Sequence, residues 1–170
     1  VYPAPGEIRS EVAAHVPRAF RARYVFSRLP ARYAIMHAHT ATRRAMNNHV
    51  IVRPEHLNHQ GYLFGGALLK WVDEFAWIAA TLEFHGCTLV TIGMDQIAFR
   101  HRVTCGSILR VTTTYAGQGT TSATYDVDVF ADAPGARRAR KIFSTSITFV
   151  RIDDEGKKCP LPTERRKIAV

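Results

Sequence analysis

The spacing of apolar positions divides the chain into a short strand, one long helix and a run of strands. In YLFGGALLKWVDEFAWIAATLEFHG (62–86) apolar residues recur at helical spacing, and the pattern predicts a helix beginning near Gly65 and stopping around the His85-Gly86 pair. On a helical wheel Leu68, Trp71, Phe75, Ile78 and Leu82 form one apolar stripe, while Leu69, Ala76 and Ala80 lie nearly opposite. Only Lys70, Glu74 and Thr81 make a polar strip, and a helix apolar almost all round must be wrapped by other structure. The wrapping is expected from TLVTIGMDQIAF, SILRVTTTYAG, TSATYDVDVFAD and KIFSTSITFVRID, rich in β-branched residues and separated by the turns RVTCG, GQGTT and APGARR. In TYDVDVFAD, Tyr125, Val127 and Val129 face one way and Asp126, Asp128 and Phe130 the other. From Asn48, the run into HVIVRP reads as a short strand that Pro54 ends, because proline has no N–H for a ladder and holds its predecessor extended. The fold class is therefore α+β: one long central helix wrapped by a curved antiparallel sheet.

Two choices in this helix run against propensity. Gly65 and Gly66 are poor helix formers at its start, and Asp73 brings a carboxylate into an apolar element. The unpaired N–H groups of a helix start are preorganised donors at the positive end of the dipole, and glycines remove side chains that would keep a carbonyl oxygen away from them. The plain alternative is a tight loop-to-helix junction. Asp73 reads either as a surface charge helped by Lys70 or as a partly desolvated carboxylate suited to deprotonating or orienting a water. Glu74 reads as a solvated partner of Lys70 four residues earlier. Asn58, in HLNHQG, either closes an Asx turn or offers its amide to a ligand.

Length and composition narrow the picture. With 170 residues, 46% hydrophobic and 22% charged, the chain suits one compact domain plus extensions, and its apolar runs are too short to span a bilayer, so a soluble protein is expected. The three cysteines are too few and scattered for a disulfide framework or a zinc site, which favours a reducing, cytoplasmic compartment. No metal is expected, since HAH at 37–39 has no companion ligand cluster. The net charge of +9 is uneven: residues 1–49 carry eight arginines against Glu7 and Glu11, so the rest is nearly balanced and makes a poor nucleic-acid surface. Residues 1–40 form a basic extension open to three readings: an organelle presequence, sequence upstream of an internal start at Met36, or an ordinary extension with a short helix near 18–26. Residues 41–163 hold the domain and 164–170 a basic tail.

The block PEHLNHQGYLFGGALLKWVDE (54–74), MDQIAF followed by the Gly106 turn, and ITFVRIDDEGKKCPLP (147–162) together resemble the acyl-CoA hydrolase family of hot-dog fold thioesterases. The resemblance spans about 48–163 and implies a thioesterase that releases free fatty acid and coenzyme A, with no cofactor beyond the coenzyme A of its substrate. Carried over residue by residue, it implies that Asp73 activates water, that Asn58 of the opposing protomer orients water or substrate, and that the Gly65 and Gly66 amides polarise the thioester carbonyl. It also implies a homodimer with shared sites, and hexamers built as trimers of dimers occur in the family. Neither nucleic acid nor membrane is an expected partner. For the acyl and coenzyme A parts, the candidates are Gly61, Phe64, Arg100, Arg102, Gly119 and Thr120, with Trp71, Phe75 and Trp77 as further tunnel walls. Hot-dog dehydratases place a histidine in the helix region, and here the helix has none; no GxSxG elbow is present either. A non-catalytic acyl-CoA-binding module is the alternative from another class.

Overall fold

The computed structural model describes residues 45–166; the expectations for the basic extension lie outside them. The chain runs β1 (Ala45–Ile51), a 3-10 turn (Pro54–His56), α1 (Gly65–Glu83), β2 (Thr88–Asp95), β3 (Ile108–Gln118), β4 (Ser122–Asp132) and β5 (Arg140–Ile152). The strands form one antiparallel sheet in the order β1-β3-β4-β5-β2, so β1 and β2 are its edges. The helix touches β2, β3, β4 and β5, as a sheet folded around it requires. This is the hot-dog arrangement the resemblance implied.

Strand alternation places the core. Ala123, Tyr125, Val127, Val129 and Ala131 of β4 are all buried, and Leu109 and Val111 of β3 lie beside them. On β5 two consecutive residues, Ile142 and Phe143, are both buried because the ladder shifts register between Val129 and Phe130, leaving Ile142 as the extra residue of a bulge. A second bulge on β2, between Thr91 and Gly93, leaves Ile92 unpaired. β2 is shorter than its sequence promised: TLVTIGMDQIAF stops at Asp95, where the Thr145 hydroxyl donates to the Asp95 carbonyl at 2.6 Å and Gln96 turns left-handed at φ 55°.

The buried face of α1 draws on both apolar sides of the wheel. Leu68, Val72, Ala76, Ala79 and Ala80 face the sheet with Trp71 beside them, whereas Leu82 is 40% exposed and Phe75 and Ile78 are only half-buried. Alanines let the helix axis approach the sheet closely, so the larger apolar residues are pushed to its flank. Lys70 and Glu74 are exposed and make no ion pair with each other among the described residues.

Candidate active site

A cavity of about 360 Å³ opens beside the start of α1, lined by Asn58, Tyr62, Gly65, Leu68, Phe99, Arg100, His101, Arg102 and neighbouring residues. The segment before the helix shapes it. Gly61, at φ 78°, closes a turn with its N–H on the Asn58 carbonyl at 2.9 Å, and the Asn58 N–H returns to the Tyr62 carbonyl at 2.7 Å. The Asn58 side chain reinforces this turn: its Oδ1 accepts from the N–H of Gln60 at 2.9 Å and of Tyr62 at 3.2 Å. The Asx geometry and the place at the cavity wall therefore coexist, with the carboxamide NH2 still available to a ligand. Gly61 shapes the turn and does not line the cavity.

The helix begins with no side-chain cap. Phe64 stands at the N-cap, its carbonyl accepts from Ala67 and Leu68, and the N–H groups of Gly65 and Gly66 have no hydrogen-bond partner among the described residues. Gly65 lines the cavity; Gly66 does not, and the space a side chain there would fill holds the exposed ring of Phe64. A Cβ on Gly65 would stand 3.0 Å from the Phe99 ring.

The rim is basic. Arg100, His101 and Arg102 line it, and no carboxylate among the described residues does. Arg102 donates to the Tyr62 hydroxyl at 3.0 Å and lies over the Tyr62 ring, while Arg100 reaches the Ser144 hydroxyl at 3.5 Å and its N–H donates to the Ile142 carbonyl at the β5 bulge. Tyr62 had no signal in the sequence beyond its nearness to Asn58.

Asp73 lies apart from this group. It is eight residues beyond Gly65, about 12 Å along the helix axis, and does not line the cavity. Half-buried, it accepts a hydrogen bond from the Thr91 hydroxyl at 2.7 Å. Sequence reasoning missed Thr91, although its parity with Leu89 puts both on the helix-facing side of β2. Gly119 and Thr120 belong to the β3–β4 hairpin away from the cavity. The Gly119 N–H is donated to the Ser122 carbonyl and the Thr120 carbonyl takes the Leu161 N–H, and neither residue lines the cavity. Among the described residues no group of three His, Cys, Asp or Glu side chains could hold a metal, and no helix is long and apolar enough to cross a membrane.

A thioesterase superfamily model matches residues 60–136, from the Asn58 turn through β4. An acyl-CoA thioester hydrolase of Zymomonas mobilis, itself uncharacterised, is 30% identical over 113 residues, covering 66% of this chain and 75% of that protein. The chain belongs to this acyl-CoA hydrolase family. Mouse acyl-coenzyme A thioesterase 11 is 44% identical over 62 residues, which are 36% of this chain and only 10% of that much longer relative. Among solved structures, an acyl-CoA hydrolase of Staphylococcus aureus in complex with coenzyme A superposes with a TM-score of 0.63 at 29% identity, covering 69% of this chain and 70% of that one. That protein is known as alanine variants of an asparagine, an aspartate and a threonine. A hexameric thioesterase of Yersinia pestis matches with a TM-score of 0.63 at 25% identity, covering 68% of this chain and 93% of that one.

Proposed function

We propose that this family member hydrolyses acyl-CoA thioesters in composite sites formed by two copies of the chain. The observation that carries the reading is the pair of unpartnered amides at Gly65 and Gly66, the first opening into a cavity that also holds Asn58 and a rim of Arg100, His101 and Arg102. Amides aimed at a thioester oxygen stabilise the charge that develops on it when water attacks, an effect worth about 10²- to 10³-fold per donor. The cationic rim suits the phosphates of coenzyme A. A cavity without any carboxylate still needs a base, and Asp73 of the same chain is too far along the helix to be it. In this reading the partner's helix brings its own aspartate, steadied by the hydroxyl on β2, to face Gly65 and Asn58. The carboxylate takes a proton from water as the oxygen attacks the carbonyl, the oxyanion rests on the glycine amides, and its collapse to the fatty acid breaks the C–S bond, the leaving thiolate taking that proton to depart as coenzyme A. The asparagine, aspartate and threonine varied in the Staphylococcus aureus relative have the same residue types as Asn58, Asp73 and Thr91, which supports this assignment.

The test is release of free thiol from acetyl-, hexanoyl- and palmitoyl-CoA by the wild type and by Asp73→Ala. Turnover by the wild type with a fall in kcat of at least about 100-fold in a folded variant is expected. Tight acyl-CoA binding with no wild-type turnover would make the protein a sensor instead.

A further inference from the structure

One segment next to the glycines is left unused by this mechanism. Between β2 and Arg100 the chain leaves the sheet for residues 96–99 and is fixed at both ends. Thr145 holds the Asp95 carbonyl at 2.6 Å, Gln96 takes a left-handed conformation at φ 55°, and the Arg100 N–H rejoins β5 on the Ile142 carbonyl at 3.0 Å. A non-glycine residue in that conformation is strained, and strain maintained beside a cavity points to a constraint on where the next side chains must stand. The side chain so placed is Phe99. Its ring leans on the fully buried Phe143, with centroids 5.4 Å apart and planes at 46°, and the residue as a whole is 52% exposed. Three of its atoms lie 3.0–3.6 Å from the point where a Gly65 Cβ would stand. The ring thus fills the room that glycine leaves, immediately beside the unpartnered Gly65 N–H.

We infer that Phe99 is a specificity-determining residue: its ring walls the slot beside Gly65 and limits the bulk of the acyl group at the carbon next to the thioester carbonyl. This rests on the proposed acyl-CoA hydrolysis, with the Gly65 amide receiving the carbonyl oxygen. An oxygen hydrogen-bonded there sets the adjacent acyl carbon about 2.4 Å further on, at the face of the ring. A straight chain passes along that face, whereas an α-branch or an aryl group meets it. Phe143 behind the ring is buried in the core, so the ring cannot retreat without disturbing that packing.

The experiment compares kcat/KM for butyryl-CoA, isobutyryl-CoA and benzoyl-CoA in the wild type, Phe99→Ala and Phe99→Leu, each first checked for folding by circular dichroism. Removing the ring is expected to raise the isobutyryl-to-butyryl and benzoyl-to-butyryl ratios about tenfold or more in Phe99→Ala, and by less in Phe99→Leu. If Phe99→Ala does not fold, the Phe99→Leu ratios decide. Ratios unchanged within twofold, with all three substrates falling together, would reduce Phe99 to a packing residue while leaving the hydrolase reading intact. A wild type that turns over none of the three, nor any other acyl-CoA, removes the reading and the inference together.

Discussion

Asn58 commits one half of its side chain to the fold and leaves the other for the chemistry proposed above. Its carbonyl oxygen holds two backbone N–H groups of the turn ahead of α1, and only its NH2 can serve a ligand. Asn58→Asp separates the two roles, since a carboxylate keeps the acceptor and loses the donor. We expect a melting temperature within a few degrees of wild type with a fall in kcat of at least about tenfold, measured by thermal melts and thiol release; Asn58→Ala should lose activity and also about 1 kcal/mol of stability. At this scale the sequence pointed to candidate residues more readily than to the atoms they would use. Gly65 and Asp73 stood out because each is a poor choice for a helix, and Asn58 because the block around it resembles the family. Thr91 looked like any other β-branched residue of a strand, and Phe99 like the end of that strand, because a bulge or one left-handed residue leaves no periodic trace.

The far end of α1 shows an element held by its charges. Glu83 accepts from the Tyr125 hydroxyl at 2.7 Å on one oxygen and pairs with Arg165 at 2.7 Å on the other, while the Arg166 N–H caps the Glu83 carbonyl at 2.9 Å. Arg165 also lies over the Tyr115 ring. Burial, and then the hydrogen bond to Glu83, push the Tyr125 phenol far above its ordinary value of 10.0; burial raises Tyr115 as well. The folded chain therefore keeps a phenolic proton that the unfolded chain loses above pH 10, so this contribution is complete below that pH and declines as pH rises beyond it. Tyr125→Phe should cost about 1.5–3 kcal/mol near neutral pH and lessen the alkaline loss of stability, as thermal melts between pH 7 and 11 would show. Elements of this kind were legible where their period was long. The helix bounds, β3, β4 and β5 agree closely with the apolar pattern, whereas the buried side of α1 was left open because the helix is apolar almost all round and the sheet selected its alanines.

For the molecule as a whole, a run of exposed apolar residues lies along one flank, apart from Ile51 and Ile108, which pair at the opposite β1 edge. Val90, Ile92, Ile97 and Phe99 are exposed along edge strand β2 and its continuation, and Trp77, whose indole N–H donates to the Leu89 carbonyl of the same strand, is 43% exposed beside them. An unpaired edge carrying such residues is a template for a second copy. The proposed dimer pairs the two β2 edges, covers these side chains and brings each aspartate to the other chain's glycines. Ile92→Lys, on the bulge, should shift the protein toward monomer by light scattering and abolish turnover with the fold retained. Mixing Asp73→Ala with Asn58→Ala chains should regain part of the activity, because one site in each mixed dimer is complete. Confirmed mixed dimers without any regain would place both residues in one chain's site.

Leu161, Arg165 and Arg166 are anchored, respectively, on the β3–β4 hairpin and on the last turn of the helix. Residues 161–166 thus behave as a latch between the hairpin and the helix end. A label, affinity handle or surface tether introduced within 160–166 would work against that latch, so immobilisation chemistry is better directed elsewhere on the chain.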